Sequence, residues 1–232
     1  MKYFLINQST PFEIRDTLSR LGHCVPLPPL SSLPHPINAH PDMLIARLDD
    51  TIFIHEEYRS GQKLLRSLGI PFRLSHKKLG MTYPEDIALN CFCVGNFLFA
   101  GKRGSSPDVL AWAKENGKTL LSVKQGYTKC AAVVAGGAIA SSDRGISAAA
   151  ESVGIPALLL PPHPIDIEVY DTGFLGGACG LIDKDTLGFF GCADRYPSYD
   201  ILSDFFQARG VRIRSLSKFP LFDLGGMITV EI

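Results

Sequence analysis

The segment KENGKTLLSV, residues 114–123, holds the pattern that decides the fold: the end of a helical stretch, a glycine, and an apolar strand. The same pattern recurs four more times, as SRLGHCVPLP (19–28), RSLGIPFRLS (66–75), ESVGIPALLL (151–160) and QARGVRIRSL (207–216). A glycine just past a helix adopts the left-handed conformation without steric penalty, so each of these glycines is predicted to end a helix. Since successive glycines lie 37 to 56 residues apart, five units of similar length span all 232 residues.

Ahead of each helix, two short apolar segments flank a turn. The turn pairs are Asp49-Asp50, Gly95-Asn96, Gly136-Gly137 and Lys184-Asp185. Pairs rich in Asp, Asn and Gly are typical of β-hairpins, so the flanking segments are predicted to be antiparallel strands. The predicted strand pairs are 43–47 with 51–55, 88–94 with 97–100, 130–134 with 138–141, and 179–182 with 188–191. Each unit therefore reads strand, strand, helix, strand.

The fifth unit is divided between the two ends of the chain. Residues 226–232 supply its first strand, and residues 2–6 begin the rest. A chain whose ends complete one unit is predicted to close into a ring, which removes open sheet edges. The sequence thus predicts one α/β domain over 1–232. Its five ββαβ units lie at about 40–80, 81–127, 128–165, 166–219, and 220–232 joined with 1–39. The alternative is a coincidental glycine spacing in an ordinary layered fold.

Composition restricts the classes of function. Twenty-three basic and 23 acidic residues give zero formal charge, which removes the general electrostatic argument for binding nucleic acid or an anionic membrane. Six cysteines are too few for a disulfide scaffold, and no apolar run is long enough for a membrane helix. We therefore expect a cytoplasmic protein with reduced thiols. The chain has no phosphate-binding loop and no paired CxxC motifs, so no cofactor and no metal are expected.

The repeat organisation resembles the pentein fold, a fivefold α/β propeller shared by arginine deiminases, dimethylarginine dimethylaminohydrolases, amidinotransferases and translation initiation factor six. Four segments are similar, more specifically, to a small bacterial family of uncharacterised proteins assigned to that fold. They are QGYTKCAAVV (125–134), SSDRGI (141–146), YDTGFLGGACG (170–180) and FFGCADRYPSYDIL (189–202). The resemblance implies a pentein-like propeller over the whole chain. It does not fix the function, because the fold includes both catalysts and binding proteins.

The resemblance also implies where a site would lie. In catalytic penteins the first strands of the units line a central channel, where a cysteine attacks the guanidinium carbon, a histidine handles protons and carboxylates hold the cation. Mapped onto the repeat, the residues at this channel are His40 and Asp42, Asp86 and Asn90, Lys129 and Cys130, Asp171 with FLGGACG (174–180), and Asp223 in FDLGG (222–226). This sequence departs from the catalytic pattern: DLGGMIT (223–229) has no cysteine, and GFLGGACG (173–180) has no histidine.

Three residues are candidates for catalysis. Cys130 is predicted to open a channel strand and follows Lys129, whose charge favours a thiolate; the alternative is a small buried apolar residue. His40 is the candidate general base, or else a polar loop residue at the start of a strand. Asp42 occupies a position equivalent to that of Asp223, so both carboxylates are expected to converge on one space. Such a pair suits a guanidinium, an amine or a metal, whereas turn formation is the alternative.

The remaining candidates are ligand-binding residues: Asp223, Asn90, Lys129, Asp171 and Phe174. Asn90 and Lys129 are expected to bind the carboxylate end of an amino-acid-like ligand. Asp171 is either a ligand contact or a turn residue, and Phe174 either stacks on a ligand or fills the core. The loop 26–41 is a predicted lid over the channel.

Three functions remain open from the sequence. The first is binding of a small polar ligand, guanidino or amino-acid-like, in the central channel. The second is a Cys-dependent hydrolase or amidinotransferase acting on a guanidine or amidine, with Cys130 as nucleophile, His40 as base, and Asp42 and Asp223 holding the cation. The third is a non-catalytic ribosome- or protein-interaction module like translation initiation factor six. The balanced charge argues mildly against the third.

Overall fold

The computed structural model describes residues 1–232 and contains fifteen strands. In chain order these are β1 (Lys2–Asn7), β2 (His23–Leu27), β3 (Ile45–Leu48), β4 (Thr51–His55), β5 (Arg73–Ser75), β6 (Cys91–Val94), β7 (Phe97–Gly101), β8 (Thr119–Val123), β9 (Ala132–Ala135), β10 (Ala138–Ser141), β11 (Ala157–Leu159), β12 (Cys179–Asp183), β13 (Thr186–Phe189), β14 (Arg212–Ser215) and β15 (Ile228–Glu231). They form five three-stranded sheets, ordered β15-β1-β2, β3-β4-β5, β6-β7-β8, β9-β10-β11 and β12-β13-β14.

Each sheet has the same mixed topology. Its first two strands are antiparallel, its third strand is parallel to the second, and one helix connects the second strand to the third. The helices are α1 (Phe12–Ser19), α2 (Pro41–Leu44), α3 (Arg59–Ser67), α4 (Pro107–Glu115), α5 (Arg144–Glu151) and α6 (Tyr199–Gln207), of which α2 alone is not such a connection. The predicted fivefold ββαβ propeller is therefore confirmed.

The two ends of the chain complete one sheet, as predicted. Strand β15 pairs antiparallel with β1, with Lys2 opposite Glu231 and Leu5 opposite Ile228. First strands of neighbouring sheets pack against one another, β3 beside β6 and β12 beside both β9 and β15. This packing places the first strand of each sheet toward the middle of the ring, so the segments that precede these strands meet there.

Four of the five repeat glycines have the predicted conformation. Gly69, Gly117, Gly154 and Gly210 end their helices with φ between +66° and +76°. The prediction is wrong for Gly22, whose φ is not positive. A Cβ at Gly22 would lie 2.9 Å from both the Lys2 carbonyl oxygen and the Phe4 ring. That glycine is required by the close approach of β1 and not by a left-handed turn.

Four of the five first strands begin later than the sequence predicted, and β12 begins at Cys179 as predicted. Residues 41–44 form the short helix α2, so β3 starts at Ile45 instead of residue 43. Cys130 does not open a strand, because β9 starts at Ala132 and Cys130 lies in the preceding turn. Strand β6 likewise starts at Cys91 instead of residue 88. The apolar runs start before the strands because their first residues are buried at the ring centre, either in α2 or in turns.

Apolar side chains fill the space between each sheet and its helix. In the terminal unit, for example, Ile14 and Leu18 of α1 pack with Phe4 and Ile6 of β1. The ring centre is different, because it holds fully buried polar and charged side chains, among them Asp42, Asn90 and Asp223. None of the helices has the length and apolar character that a membrane-spanning segment requires.

Candidate functional site

The segments that precede the first strands, which are turns or the short helix α2, bring together most of the predicted site residues. Relative exposure at the ring centre is very low: 3% for His40, 4% for Asp42, 1% for Asn90, 4% for Cys130 and 2% for Asp223. Lys129 and Phe174 are half-buried and line cavities that open from this centre. Asp171 is exposed and lines neither the cavity beside Lys129 nor the cavity beside Phe174. The fold therefore does not bring Asp171 to the other predicted site residues.

Asn90 organises the turn that carries Cys130. Its Oδ1 accepts hydrogen bonds from the backbone N–H groups of Lys129 at 2.7 Å and Cys130 at 3.3 Å. Its Nδ2 lies 2.9 Å from Cys130 Sγ and 3.2 Å from the Asp42 carbonyl oxygen. These bonds use the donors and the acceptor of the side-chain amide. Asn90 is therefore a positioning residue and has no group left for a ligand carboxylate.

Asp223 is enclosed by glycine backbone. Its Oδ2 accepts a hydrogen bond from Phe174 N at 2.8 Å, and its Oδ1 accepts one from Gly225 N at 2.9 Å. A Cβ at Gly177 would lie 2.0 Å from Asp223 Oδ1, and one at Gly173 would lie 2.5 Å from Asp223 Cβ. The glycines of GFLGGACG thus permit a close approach of backbone to this carboxylate. Burial raises the pKa of Asp223 to about 6, while the two backbone hydrogen bonds oppose the shift.

Asp42 is the least satisfied group of the site. Neither carboxylate oxygen has a hydrogen-bond partner, although both are buried. Burial, and then the negative charge of Asp223, raise the pKa of Asp42 to about 7. The nearby Cys130 side chain, and then the positive charge of Lys129, lower this pKa and so act in the opposite direction. At neutral pH the ring centre therefore holds two neighbouring carboxyl groups that resist full ionisation.

His40 lies beside Asp223 without forming a hydrogen bond to it. Nδ1 of His40 is 3.8 Å from Oδ1 of Asp223. Burial, and then the charge of His35, lower the pKa of His40 to about 3, so the imidazole is neutral at physiological pH. Gly225 packs against this ring, since a Cβ there would lie 2.2 Å from His40 Cβ.

The Cys130 thiol is protonated in this environment. Burial, and then the negative charges of Asp42 and Asp223, raise its pKa well above the ordinary value. The sequence predicted a thiolate favoured by Lys129, but the nearest charges are negative. A bound cation at the carboxylates would offset the two negative charges but not the burial.

Three cavities adjoin the centre, and two of them are lined by Lys129 or Cys130. The first, called here the aromatic cavity, has a volume of about 140 Å³ and is lined by Ile37, His40, Met43, Tyr127, Cys130, Ile167, Tyr170, Thr172, Gly173, Phe174 and Asp223. The second, called here the lysine cavity, has a volume of about 170 Å³, and Asp42, Arg47 and Lys129 are its charged lining residues. The two carboxylates were predicted to share one space. They are close enough to interact electrostatically, but they line different cavities.

Sequence reasoning missed the aromatic wall. Tyr127 and Tyr170 line the aromatic cavity with Phe174, and Tyr127 lies three residues before Cys130 in the segment that carried the resemblance. The three-residue spacing between Tyr127 and Cys130 was the signal in the sequence that could have identified this wall. Asp86, mapped to the channel from the repeat, instead accepts a hydrogen bond of 2.6 Å from the Tyr127 hydroxyl and lines neither cavity. No three His, Cys, Asp or Glu side chains are arranged to hold a metal ion.

The sequence profile of DUF6873, described as a family of unknown function, matches residues 5–228. The chain belongs to this family. A search of curated proteins found no match. Solved structures are similar over nearly the whole chain. DDAH from Pseudomonas aeruginosa, in a mutant complexed with citrulline, has a TM-score of 0.56 at 9% identity, covering 99% of this chain and 98% of its own.

Two other enzymes have the same fold. An amidinotransferase from Microseira wollei, of the saxitoxin biosynthetic pathway, has a TM-score of 0.56 at 10% identity over 95% of this chain and 79% of its own. The agmatine deiminase of C. jejuni has a TM-score of 0.56 at 8% identity over 93% of this chain and 87% of its own. The DUF6873 protein is therefore a pentein-fold α/β propeller. At these identities the likeness shows the fold alone.

Proposed function

We propose that this DUF6873 protein binds a small organic cation, with a guanidino, amidino or amino head, at the buried carboxylates of the ring centre. The observation that carries the proposal is that Asp42 and Asp223 are both buried and neither has a Lys or Arg partner within ion-pair distance. The neighbour of Asp223 at that range is the neutral ring of His40.

A buried carboxylate without a cation is costly in free energy unless it is protonated. The raised pKa values of Asp42, about 7, and Asp223, about 6, express this cost. A ligand cation would reduce this cost, because it supplies the positive charge that both carboxylates lack and its N–H groups can donate hydrogen bonds to Asp223. Asp223 lines the aromatic cavity and would contact the head directly, whereas Asp42 would add negative charge from beside it.

The fold comparisons support the same ligand class. The similar structures carry names that include citrulline, an amidinotransferase and an agmatine deiminase. Each of these names concerns a guanidino compound or its product. The identities of 8 to 10% do not transfer an activity, so the argument depends on the carboxylates of this chain.

Calorimetric titration with benzamidine, agmatine and arginine tests the proposal. We expect at least one of these cations to bind, and the Asp223→Asn variant to lose about tenfold or more in affinity. The matched control is Asp204→Asn, which neutralises an exposed carboxylate on α6. The proposal fails if none of the three cations binds, or if Asp223→Asn and Asp204→Asn bind equally well.

A second candidate function is Cys-dependent cleavage of the bound cation. The favouring observation is that Cys130, His40 and Asp223 line one cavity. Sγ would bond to the guanidinium or amidinium carbon, and the thiol proton would pass to the departing amine as a C–N bond breaks. Water or an acceptor amine would then add to that carbon, and the C–S bond would break with return of a proton to the thiol. A bound cation would offset the charges of Asp42 and Asp223 that hold the Cys130 thiol protonated.

Release of ammonia or amine from agmatine or benzamidine is the measurement for this second function. Catalysis predicts that Cys130→Ser abolishes release and retains binding, whereas Cys192→Ser, at a half-buried cysteine outside the aromatic cavity, keeps both. Binding without release in the unmodified protein would leave the binding function and remove the catalytic one.

A further inference from the structure

The aromatic cavity has an apolar wall that leads outward from the buried acid. The ring centroids of Tyr127 and Phe174 are 5.9 Å apart, and those of Tyr83 and Tyr127 are 5.8 Å apart, so three rings form a row. Tyr83 is half exposed at the outer end of this row. The Tyr127 hydroxyl is already bonded to Asp86, so Tyr127 offers the cavity its ring and not a free polar group.

The same cavity lacks positive charge. None of its eleven lining residues is Lys or Arg. A third cavity, of about 350 Å³, adjoins His40 and Asp223 on the other side and also has no Lys or Arg in its lining. Its own charged pair is His35 with Glu168, whose atoms Nε2 and Oε2 are 3.0 Å apart. Lys129 and the exposed Arg47 line the lysine cavity instead.

The apolar wall and the absence of Lys and Arg from the lining exclude the α-carboxylate of an amino-acid ligand from the aromatic cavity. If the cationic head of arginine contacts Asp223 from the aromatic cavity, its α-carboxylate lies among the other lining residues, which offer it the Tyr170 and Thr172 hydroxyls but no cation. Placing an ionised carboxylate in apolar surroundings without a partner is strongly unfavourable. Asn90 cannot help, since its amide is fully used in holding the Cys130 turn.

We infer, on the basis of the proposed function, that the ligand is a cation without a carboxylate, whose amine, amidine or guanidine head carries an aromatic ring or a short alkyl group. The size agrees with this class, because the cavity of about 140 Å³ is close to one that accepts a benzene ring. An aromatic group on the ligand would pack against Tyr127 and Phe174 in the offset or edge-on geometry that aromatic pairs prefer. The head would then lie at Asp223, beside Cys130 and His40.

Matched ligand pairs test this inference. The pairs are phenethylamine with phenylalanine, and benzamidine with 4-amidinobenzoate, whose members differ by one carboxylate. We expect the member without the carboxylate to bind about tenfold or more tightly in each pair, as measured by calorimetry at one pH and salt concentration.

A variant that adds the missing charge makes the test specific. Tyr170 is 45% exposed on a loop and lines the cavity, so Tyr170→Arg places a guanidinium at the wall with little risk to folding. We expect this variant to bind phenylalanine and 4-amidinobenzoate more tightly and to reduce the difference within each pair to about threefold or less. The matched control is Phe219→Arg, which changes an exposed aromatic residue outside the cavity and should leave the difference unchanged.

The outcomes separate this inference from the proposed function. Equal or tighter binding of the carboxylate-bearing members, with loss of affinity in Asp223→Asn, overturns the inference and retains the proposed function. An unchanged difference in Tyr170→Arg also overturns it, because the wall would not be what excludes the carboxylate. If no member of either pair binds and agmatine and arginine also fail, the proposed function falls and the inference with it.

Discussion

The side-chain amide of Asn90 forms two hydrogen bonds to Cys130. Its Nδ2 lies 2.9 Å from Cys130 Sγ, and its Oδ1 accepts from the Cys130 backbone N–H at 3.3 Å. The same amide bonds the Asp42 carbonyl oxygen, so it connects the segments before β3, β6 and β9. A single buried side chain thus fixes the relative positions of three units at the ring centre. The geometry of the candidate site depends on it.

Replacement of Asn90 by alanine is expected to lower the free energy of unfolding by about 2 to 4 kcal/mol, because it leaves buried backbone N–H groups without acceptors. Urea unfolding is the measurement. Asn116→Ala is the matched control: Asn116 makes one side-chain hydrogen bond, to the Trp112 carbonyl at the end of α4, and its loss should cost about 1 kcal/mol or less. Equal effects of the two changes would contradict the role assigned to Asn90.

Cys130 is expected to react slowly with iodoacetamide at neutral pH in the ligand-free protein. Burial and the charges of Asp42 and Asp223 raise its pKa, and the thiolate is the reactive form. Peptide mass spectrometry gives the alkylation rate at each cysteine, with the half-buried Cys192 as the internal reference. We expect Cys192 to be modified first. Faster alkylation of Cys130 than of Cys192 would show that its environment favours the thiolate after all.

The repeat was predictable because each glycine follows a helix for a local steric reason that does not depend on the rest of the fold. This reason holds for four glycines, which all have the left-handed conformation: Gly69, Gly117, Gly154 and Gly210. Gly22 has the same local sequence context and a different cause, the contact with Lys2 and Phe4 across the sheet. Only the packed structure distinguishes a glycine required by conformation from one required by space.

The meeting of several candidate residues at the ring centre was predictable from the repeat, whereas the aromatic wall and the electrostatics of the site were not. Equivalent positions in different repeat units meet at the ring centre, which is why His40, Asp42, Asn90, Cys130 and Asp223 lie together. Protonation depends instead on burial and on the direction each side chain faces. The raised pKa of Cys130 and the separation of Asp42 from Asp223 into two cavities follow from those features, which no spacing in the sequence encodes.

Asp42→Asn is expected to change the pH dependence of stability. The folded pKa of Asp42, raised by burial to about 7, exceeds its ordinary value of 3.8. Between these values the folded protein keeps a proton that the unfolded chain has lost, so stability falls as pH rises toward 7. An amide at this position does not ionise, so Asp42→Asn does not lose stability in this way as the pH rises. Its stability relative to the unmodified protein should therefore rise by about 1 to 3 kcal/mol between pH 5 and pH 8.

Urea unfolding at the two pH values measures this change. Asp204→Asn, which removes an exposed carboxylate, should give the same stability difference at both pH values. A difference for Asp42→Asn that stays constant with pH would mean that Asp42 is ionised at little cost in the folded protein.

Gly225→Ala is expected to disturb His40. Gly225 has a φ of +77°, and a Cβ there would lie 2.2 Å from His40 Cβ, so both the backbone and the imidazole must shift. Gly117→Ala is the matched control, since Gly117 has a φ of +66° with no atom within 4 Å of the added Cβ. The control should cost about 1 kcal/mol and Gly225→Ala about 1 to 3 kcal/mol more. Equal losses would show that His40 is free to move aside.

Affinity for benzamidine is expected to rise with pH. The amidinium stays protonated between pH 5 and pH 8, whereas Asp42 and Asp223, whose pKa values burial raises to about 7 and about 6, become ionised over this range. A cation binds the ionised pair more tightly and must release protons when it binds below pH 7. We therefore expect about tenfold or greater gain in affinity from pH 5 to pH 7.5.

Calorimetry in two buffers of different ionisation enthalpy measures both the affinity and the protons released. In Asp42→Asn the remaining acid at this site is Asp223, so the midpoint of the pH dependence should move down from about 7 toward about 6. Asp204→Asn should follow the unmodified protein, because that carboxylate is exposed on α6 and does not line the aromatic cavity. Benzamidine binding that is independent of pH and releases no protons would mean that the head of the ligand does not lie at these carboxylates.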